Sequence, residues 1–184
     1  MKIFQSIFKL FTAAALVAFL FPLNSSSQDW ERFEIDISEC SVVLPSEPEW
    51  YYEYSQDSSY VWSGEVQQGN MFFGVICIEF AVPFDTEEFD EYDLILIAED
   101  YLDYLKDQFS ITSFTGYEHV SWIDSETGGT GISDYWTDAE GDPWAVQCWI
   151  DPYNLAVLYI YSDPETDFSD YEEHFFNSFW FPEE

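Results

Sequence analysis

The stretch MFFGVICIEFAVPFDTEEFDEYDLILIAEDYLDYLKDQF, residues 71–109, decides the fold class because its hydrophobic period changes partway along. Met71 to Val82 is apolar at nearly every position, as a β-strand covered on both faces requires. From Asp85 onward the pattern is different. Apolar residues fall at Phe89, Tyr92, Ile95, Ala98, Leu102, Leu105 and Phe109, in steps of three and four that share one stripe of an α-helix. Asp85 followed by Glu88 has the spacing of an N-cap with a reciprocating carboxylate, so an amphipathic helix of about five to six turns is expected to start there. Its outer face carries Glu91, Glu99, Asp100, Asp103 and Asp107 and reads as a solvated face, with a cation or partner surface as the functional alternative.

Working outward from this stretch, Tyr60, Trp62 and Val66 alternate with Ser63, Glu65 and Gln67, which is the period of a half-buried strand. Gln68, Gly69 and Asn70 turn that strand into the next, making a hairpin. Further upstream, FEIDISECSVVL (residues 33–44) reads as one strand stopped by Pro45 and Pro48. Downstream come a strand over Ile111–Ile123, a loop with Gly128 and Gly129, and a strand over Gly131–Thr137. A turn at Glu140, Gly141, Asp142 and Pro143 leads to strands Trp144–Ile150 and Leu155–Tyr161, the makings of an antiparallel meander. From Asp167 a second helix is expected, with Phe168, Tyr171, Phe175 and Phe179 on the face that docks on the sheet. The fold class is therefore α+β: an antiparallel β-sheet flanked by helices, with a long central helix and a C-terminal helix.

Composition narrows the function classes. The 184 residues are 47% hydrophobic and 21% aromatic, enough apolar surface to offset the entropy of ordering and to exclude a disordered acidic tail. Against 37 Asp and Glu stand 4 Lys and Arg, for a formal charge of −33, which excludes gripping nucleic acid or an anionic membrane surface through basic contacts. Lys2 and Lys9, the uncharged run Leu10–Phe21, Pro22 and the small residues Ser25–Ser27 have the layout of a secretory signal peptide. A membrane anchor is the competing reading, but the run is shorter than the roughly 20 residues a bilayer span needs. The expected organisation is thus residues 1–27 as signal peptide and 28–184 as a single acidic domain, secreted or periplasmic and monomeric. Removing the signal leaves Arg32 and Lys106 as the basic residues.

The opening FEIDISECSVVLPSEPE, a strand running into a Pro-x-x-Pro break, and the ending YEEHFFNSFWF, a closing helix, resemble the two ends of the exported α+β domains of the PsbP-like superfamily. The resemblance covers nearly the whole chain after the signal segment in element order and length. It implies an antiparallel sheet flanked by helices, and binding or assembly work more than catalysis. It carries no catalytic residue onto this chain, and the strong acidity departs from the family's habit.

Few constellations here point to chemistry. His119 and His174 are the histidines, and neither accompanies a G-x-S-x-G or a thiol-enzyme signature, so each reads as a surface group paired with a carboxylate. Cys40, Cys77 and Cys148 lie in strand-like segments, where buried thiols, one disulfide among them, or a catalytic thiol remain open. Carboxylates are abundant enough for a glycosidase pair, but abundance removes any specificity. The loops Asp124-Ser125-Glu126, Asp138 to Asp142 and Asp163 to Asp167 gather oxygen ligands without EF-hand spacing, so no cofactor is expected beyond weak calcium. The candidate partner or ligand surface is the aromatic group Trp50, Tyr51, Tyr52 and Tyr54 with the acidic turn Asp138, Glu140 and Asp142. A non-catalytic binding or accessory protein with a basic protein partner is the expectation, and a glycan- or calcium-binding surface module the alternative.

Overall fold

Strand β4 (Tyr60–Gln68) and β5 (Met71–Glu79) close the predicted hairpin in register Gln68↔Met71, across a two-residue turn in which Gly69 takes φ 64°. A positive φ at the first central residue of such a turn is one that glycine adopts without a Cβ penalty. In this computed structural model the described residues are 30–35, 38–85, 87–120 and 129–182. The expected signal segment 1–27, the loop Asp124-Ser125-Glu126, Gly128 and the far end of the expected Ile111–Ile123 strand lie outside them.

The segment read as one strand over Phe33–Leu44 is instead a small hairpin of its own, β1 (Glu31–Glu34) with β2 (Ser41–Leu44), paired Glu31↔Leu44 to Glu34↔Ser41. The chain reverses where Ile35 N donates to Cys40 O at 2.8 Å and Glu39 takes φ 55°, a turn that no Gly or Pro announces. Strand β3 (Tyr51–Tyr54) follows on the edge of the main sheet. The remaining strands are β6 (Ile111–Phe114), β7 (Glu118–Val120), β8 (Thr130–Asp138), β9 (Pro143–Ile150) and β10 (Asn154–Ser162). The expected strand from Ile111 is thus broken at Gly116, φ 104°, into two pieces that both pair with β8. The main sheet runs β3-β4-β5-β10-β9-β8-β6, antiparallel throughout, so the β4–β5 hairpin and the C-terminal meander meet at β5 and β10.

Helix α1 (Glu91–Gln108) begins five residues later than the Asp85 signal predicts. Asp85 makes only a local turn, its side chain accepting from Glu87 N at 2.9 Å. The capping box belongs to Asp90, which accepts from Tyr92 N and Asp93 N while Asp93 accepts from Asp90 N. Its buried face is Leu94, Ile95, Ala98, Leu102 and Leu105, whereas Tyr92 points to solvent. Helix α2 (Ser169–Phe176) closes the chain, with Phe175 and Phe176 buried.

Alternation along the central strands makes two cores. Phe73, Val75 and Cys77 of β5, with Leu158 and Ile160 of β10, meet the β1–β2 hairpin and α2 through Val42, Leu44, Phe175 and Phe179. Ile76 and Ile78, with Val157 and Val146, face Leu94, Ala98, Leu102 and Leu105 of α1. This accounts for the unbroken apolar text of β5. The C-terminal segment is tied to β2 by Ser41 N to Trp180 O at 2.9 Å, Trp180 N to Ser41 O at 2.8 Å and Val43 N to Ser178 Oγ at 3.0 Å. Among the described residues no helix is long and apolar enough to cross a membrane.

Candidate functional site

Strand β3 pairs with β4 on one side, Tyr51↔Ser63 to Tyr54↔Tyr60, and ends the sheet on the other. Its residues YYEY show no alternation because neither face of this short edge is covered. Tyr51, Tyr52 and Tyr54 are 62%, 69% and 60% exposed. Hydrogen bonding to Glu49 raises the Tyr51 phenol above its ordinary pKa, and hydrogen bonding to Tyr60 does the same for Tyr54, whose rings lie 4.9 Å apart. Trp50 does not belong to this exposed group. It packs on the first core and lies across Gly64, where an added Cβ would meet its ring at 2.8 Å.

The acidic turn is also divided. Asp138 is buried and organises the turn, its Oδ1 accepting from Glu140 N at 3.0 Å and Asp142 N at 2.9 Å, and its Oδ2 from Trp144 Nε1 at 2.9 Å. It is therefore a structural acceptor with no free face for a ligand. Glu140 is exposed and Asp142 partly so, and the Asp142 carboxyl is raised by partial burial and by the charges of Asp138, Asp163 and Glu140. Register places the two predicted groups apart. Tyr54 pairs with Tyr60, which pairs with Glu79 and so with Asn154, whereas the acidic turn lies past Trp144↔Tyr161 at the opposite end of the sheet.

Two arrangements escaped the sequence reading. The first is a buried ion pair between α1 and β8. Asp134 alternates with Ile132 and Trp136 toward the helix, and Lys106 Nζ reaches its Oδ2 at 3.2 Å, with side-chain exposures of 0% and 9%. Lys106 also contacts Asp103 Oδ1 at 3.2 Å, donates to Tyr117 OH at 2.9 Å, and sits 4.0 Å and 4.1 Å from the ring centres of Phe114 and Tyr117. Asp134 Oδ1 accepts from Thr115 N, Gly116 N, Tyr135 N and Thr115 Oγ1 at 2.8–3.2 Å, and Oδ2 from Trp136 Nε1 at 2.8 Å. Every oxygen of this carboxylate is occupied, so the pair reads as architecture. Tyr117 OH donates to Asp103 at 2.5 Å, which lowers the Asp103 carboxyl, and burial followed by that contact raises the phenol. Asp103 is thus part of a packed contact, not only of the solvated face expected for it.

The second arrangement is a cleft of about 330 Å³ between α2 and strands β8 and β9. Ser133 and Gln147 are directly paired across β8 and β9 and form its floor with Ala145, while Glu172, Glu173 and Phe176 of α2 form a wall. Tyr135 OH donates to Glu172 Oε2 at 2.7 Å, a contact that pushes the phenol up to about 12 with help from burial and the charge of Glu118. Helical spacing put Glu172 and Glu173 on α2, but their facing Gln147 depended on the register of β9.

The remaining candidates are placed as follows. His119 Nε2 lies 3.4 Å from Glu91 Oε1 and 3.2 Å from Thr130 Oγ1, and the His174 ring stands edge-on to Trp30 at 4.9 Å. Cys40, Cys77 and Cys148 are buried free thiols. Side-chain contact with Cys77, then burial, raises the Cys40 thiol, and burial raises Cys148, which disfavours thiolate chemistry at either. Asp163 caps its own loop, accepting from Glu165 N at 3.0 Å and Thr166 Oγ1 at 2.9 Å. Among the described residues no three His, Cys, Asp or Glu side chains gather as a metal centre would require. Among the described residues, the site and fold define an acidic, mostly antiparallel β-sheet protein with two helices and a tyrosine-bearing edge strand. No protein-family model matches the chain, and no curated protein matches it.

Proposed function

We propose that this is an exported, non-catalytic binding or accessory protein that engages a basic protein partner through its acidic surface, with β3 as the contact strand. The observation that carries the reading is the row Tyr51, Tyr52 and Tyr54, each at least 60% exposed at the end of a sheet in a chain of charge −33. Tyrosine supplies large, rigid contact area at small entropic cost, and a strong single-sign field steers an oppositely charged partner. The likeness of the chain's two ends to the PsbP-like superfamily supports assembly work over catalysis. Monomeric export after loss of residues 1–27, without a cofactor, belongs to the same proposal.

The test is capture from native extract with the protein as bait at low and high salt, beside the variant Tyr51→Ser/Tyr52→Ser/Tyr54→Ser. A stoichiometric basic partner retained at low salt, lost at high salt and lost with the variant is the expected result. Retention unchanged by the three substitutions would remove β3 from the reading, and no retained protein at either salt would remove the reading itself.

A further inference from the structure

Ser55 N donates to Ser59 O at 3.0 Å, and this pair continues the register Glu53↔Val61 and Tyr54↔Tyr60 toward the turn. Bonded and non-bonded pairs alternate along antiparallel strands, so Glu53 and Tyr51 exchange the bonds with β4, and the N–H and C=O groups of Tyr52 and Tyr54 are turned away from it. Among the described residues β4 is the one strand beside β3, and Tyr52 and Tyr54 are exposed. Sheet edges are commonly blunted by a bulge, a proline or a lysine. The opposite edge strand β6 has such a break, a register shift between Ile111 and Ser113. The pairing of β3 is unbroken, and Tyr51–Tyr54 contains no Pro, Lys or Arg.

The two faces of this strand differ. Tyr52 and Tyr54 stand opposite Trp62 and Tyr60 on the side of the first core, where the Tyr54 and Tyr60 rings lie 4.9 Å apart and Tyr60 and Trp62 stack at 5.5 Å. Glu53 is on the other side, where its charge acts on Tyr101 of α1, and Tyr51 beside it hydrogen bonds with Glu49. Resting on the reading of β3 as the contact strand, we propose that the basic partner adds an extended segment antiparallel to β3, exchanging backbone hydrogen bonds with Tyr52 and Tyr54. The segment alternates apolar residues, set against Tyr52 and Tyr54, with Lys or Arg, set against Glu53. A second copy of this chain is disfavoured as the occupant, because each copy carries a charge of −33.

The probe is a blocked peptide of alternating Lys and Val, about eight residues long, titrated calorimetrically into the protein. It is compared with a peptide alternating Glu and Val, and with the Lys peptide methylated at its Val nitrogens, which keeps the charge but cannot donate to the Tyr52 and Tyr54 carbonyls. The Lys peptide is expected to bind at least about tenfold tighter than either. Tyr52→Pro, which removes an outward N–H, is expected to bind it about three- to tenfold more weakly than Tyr52→Ala, which keeps that N–H. A readout without ligand tests the orientation: Glu53→Pro loses a bond to β4 and is expected to melt below Tyr52→Pro. Equal binding of the methylated peptide would overturn strand addition while leaving a basic partner that docks by side chains. No heat from the Lys peptide at about millimolar concentration, a lower melting temperature for Tyr52→Pro than for Glu53→Pro, or a dimer in solution that Tyr52→Pro dissolves would each overturn it as well. Capture from extract, which assumes nothing about the partner's conformation, decides the wider reading separately.

Discussion

Replacing Asp134 by Ala probes the buried ion pair that fastens α1 to the sheet. The side chain is fully buried and accepts five hydrogen bonds besides facing Lys106 at 3.2 Å. Its loss leaves Lys106, itself nearly buried, with the more exposed Asp103 as its remaining carboxylate partner, and leaves Trp136 Nε1 without an acceptor inside the second core. Breaking a buried ion pair by removing one partner costs about 3–5 kcal/mol. For a chain of this size each kcal/mol lowers the melting temperature by about 2–4 °C, so the variant is expected to melt about 6–20 °C below the parent. Lys106→Met should cost less, about 1–3 kcal/mol, because Asp134 keeps its five donors and methionine fills the aromatic cage left by the lysine stem. The ordering follows from which group is left without partners. Urea unfolding followed by tryptophan fluorescence, with circular dichroism melts, measures both variants. A loss under about 1 kcal/mol for Asp134→Ala, or a larger loss for Lys106→Met, would refute this account of the pair.

Three further outcomes are expected. Gly74→Ala places a Cβ about 2.0 Å from Cζ of the buried Tyr159 directly opposite, so overpacking of about 1–3 kcal/mol should show in the same urea titration, and parental stability would contradict the packing. The phenols of Tyr135, raised first by Glu172, and Tyr161, raised first by burial, stand at about 12 against 10.0 for the free group. The unfolded chain therefore releases these protons first: their contribution is full below pH 10, is lost as pH rises toward about 12, and absorbance at 295 nm with parallel melts should place the decline in that window. Finally, with a charge of −33, added sodium chloride or calcium should raise the melting temperature by screening self-repulsion, and a melt indifferent to salt would contradict it.

The period change across residues 71–109 was enough by itself to establish a doubly covered strand followed by an amphipathic helix, because burial on one stripe or on both faces is a local constraint written every two or every three to four residues. The β4–β5 hairpin, the β8–β9–β10 meander and the closing helix were legible for the same reason, each joined by a short turn with Gly, Pro, Asn or Asp. The start of α1 was misplaced because Asp85 and Asp90 both offer cap geometry and only the hydrogen bonds of the folded chain separate them. The β1–β2 reversal carries no Gly or Pro, so its text reads as one strand until the sheet and α2 are there to bury Val42 and Leu44. Exposure of Tyr51, Tyr52 and Tyr54 was anticipated, whereas Trp50 and Asp138 looked like surface groups until Gly64 and Trp144 were seen beside them.

What the tertiary structure alone decided is everything that depends on pairing distant strands. That β5 lies beside β10, that Lys106 meets Asp134, and that Gln147 sits unpaired beneath Glu172 and Glu173 are consequences of sheet order and register. A one-residue slip of β9 would turn Gln147 to the other face. Periodicity in a sequence specifies which side of an element is buried, but the identity of the residue across the gap is set by long-range contacts whose energy is shared among many side chains and is legible at no single position.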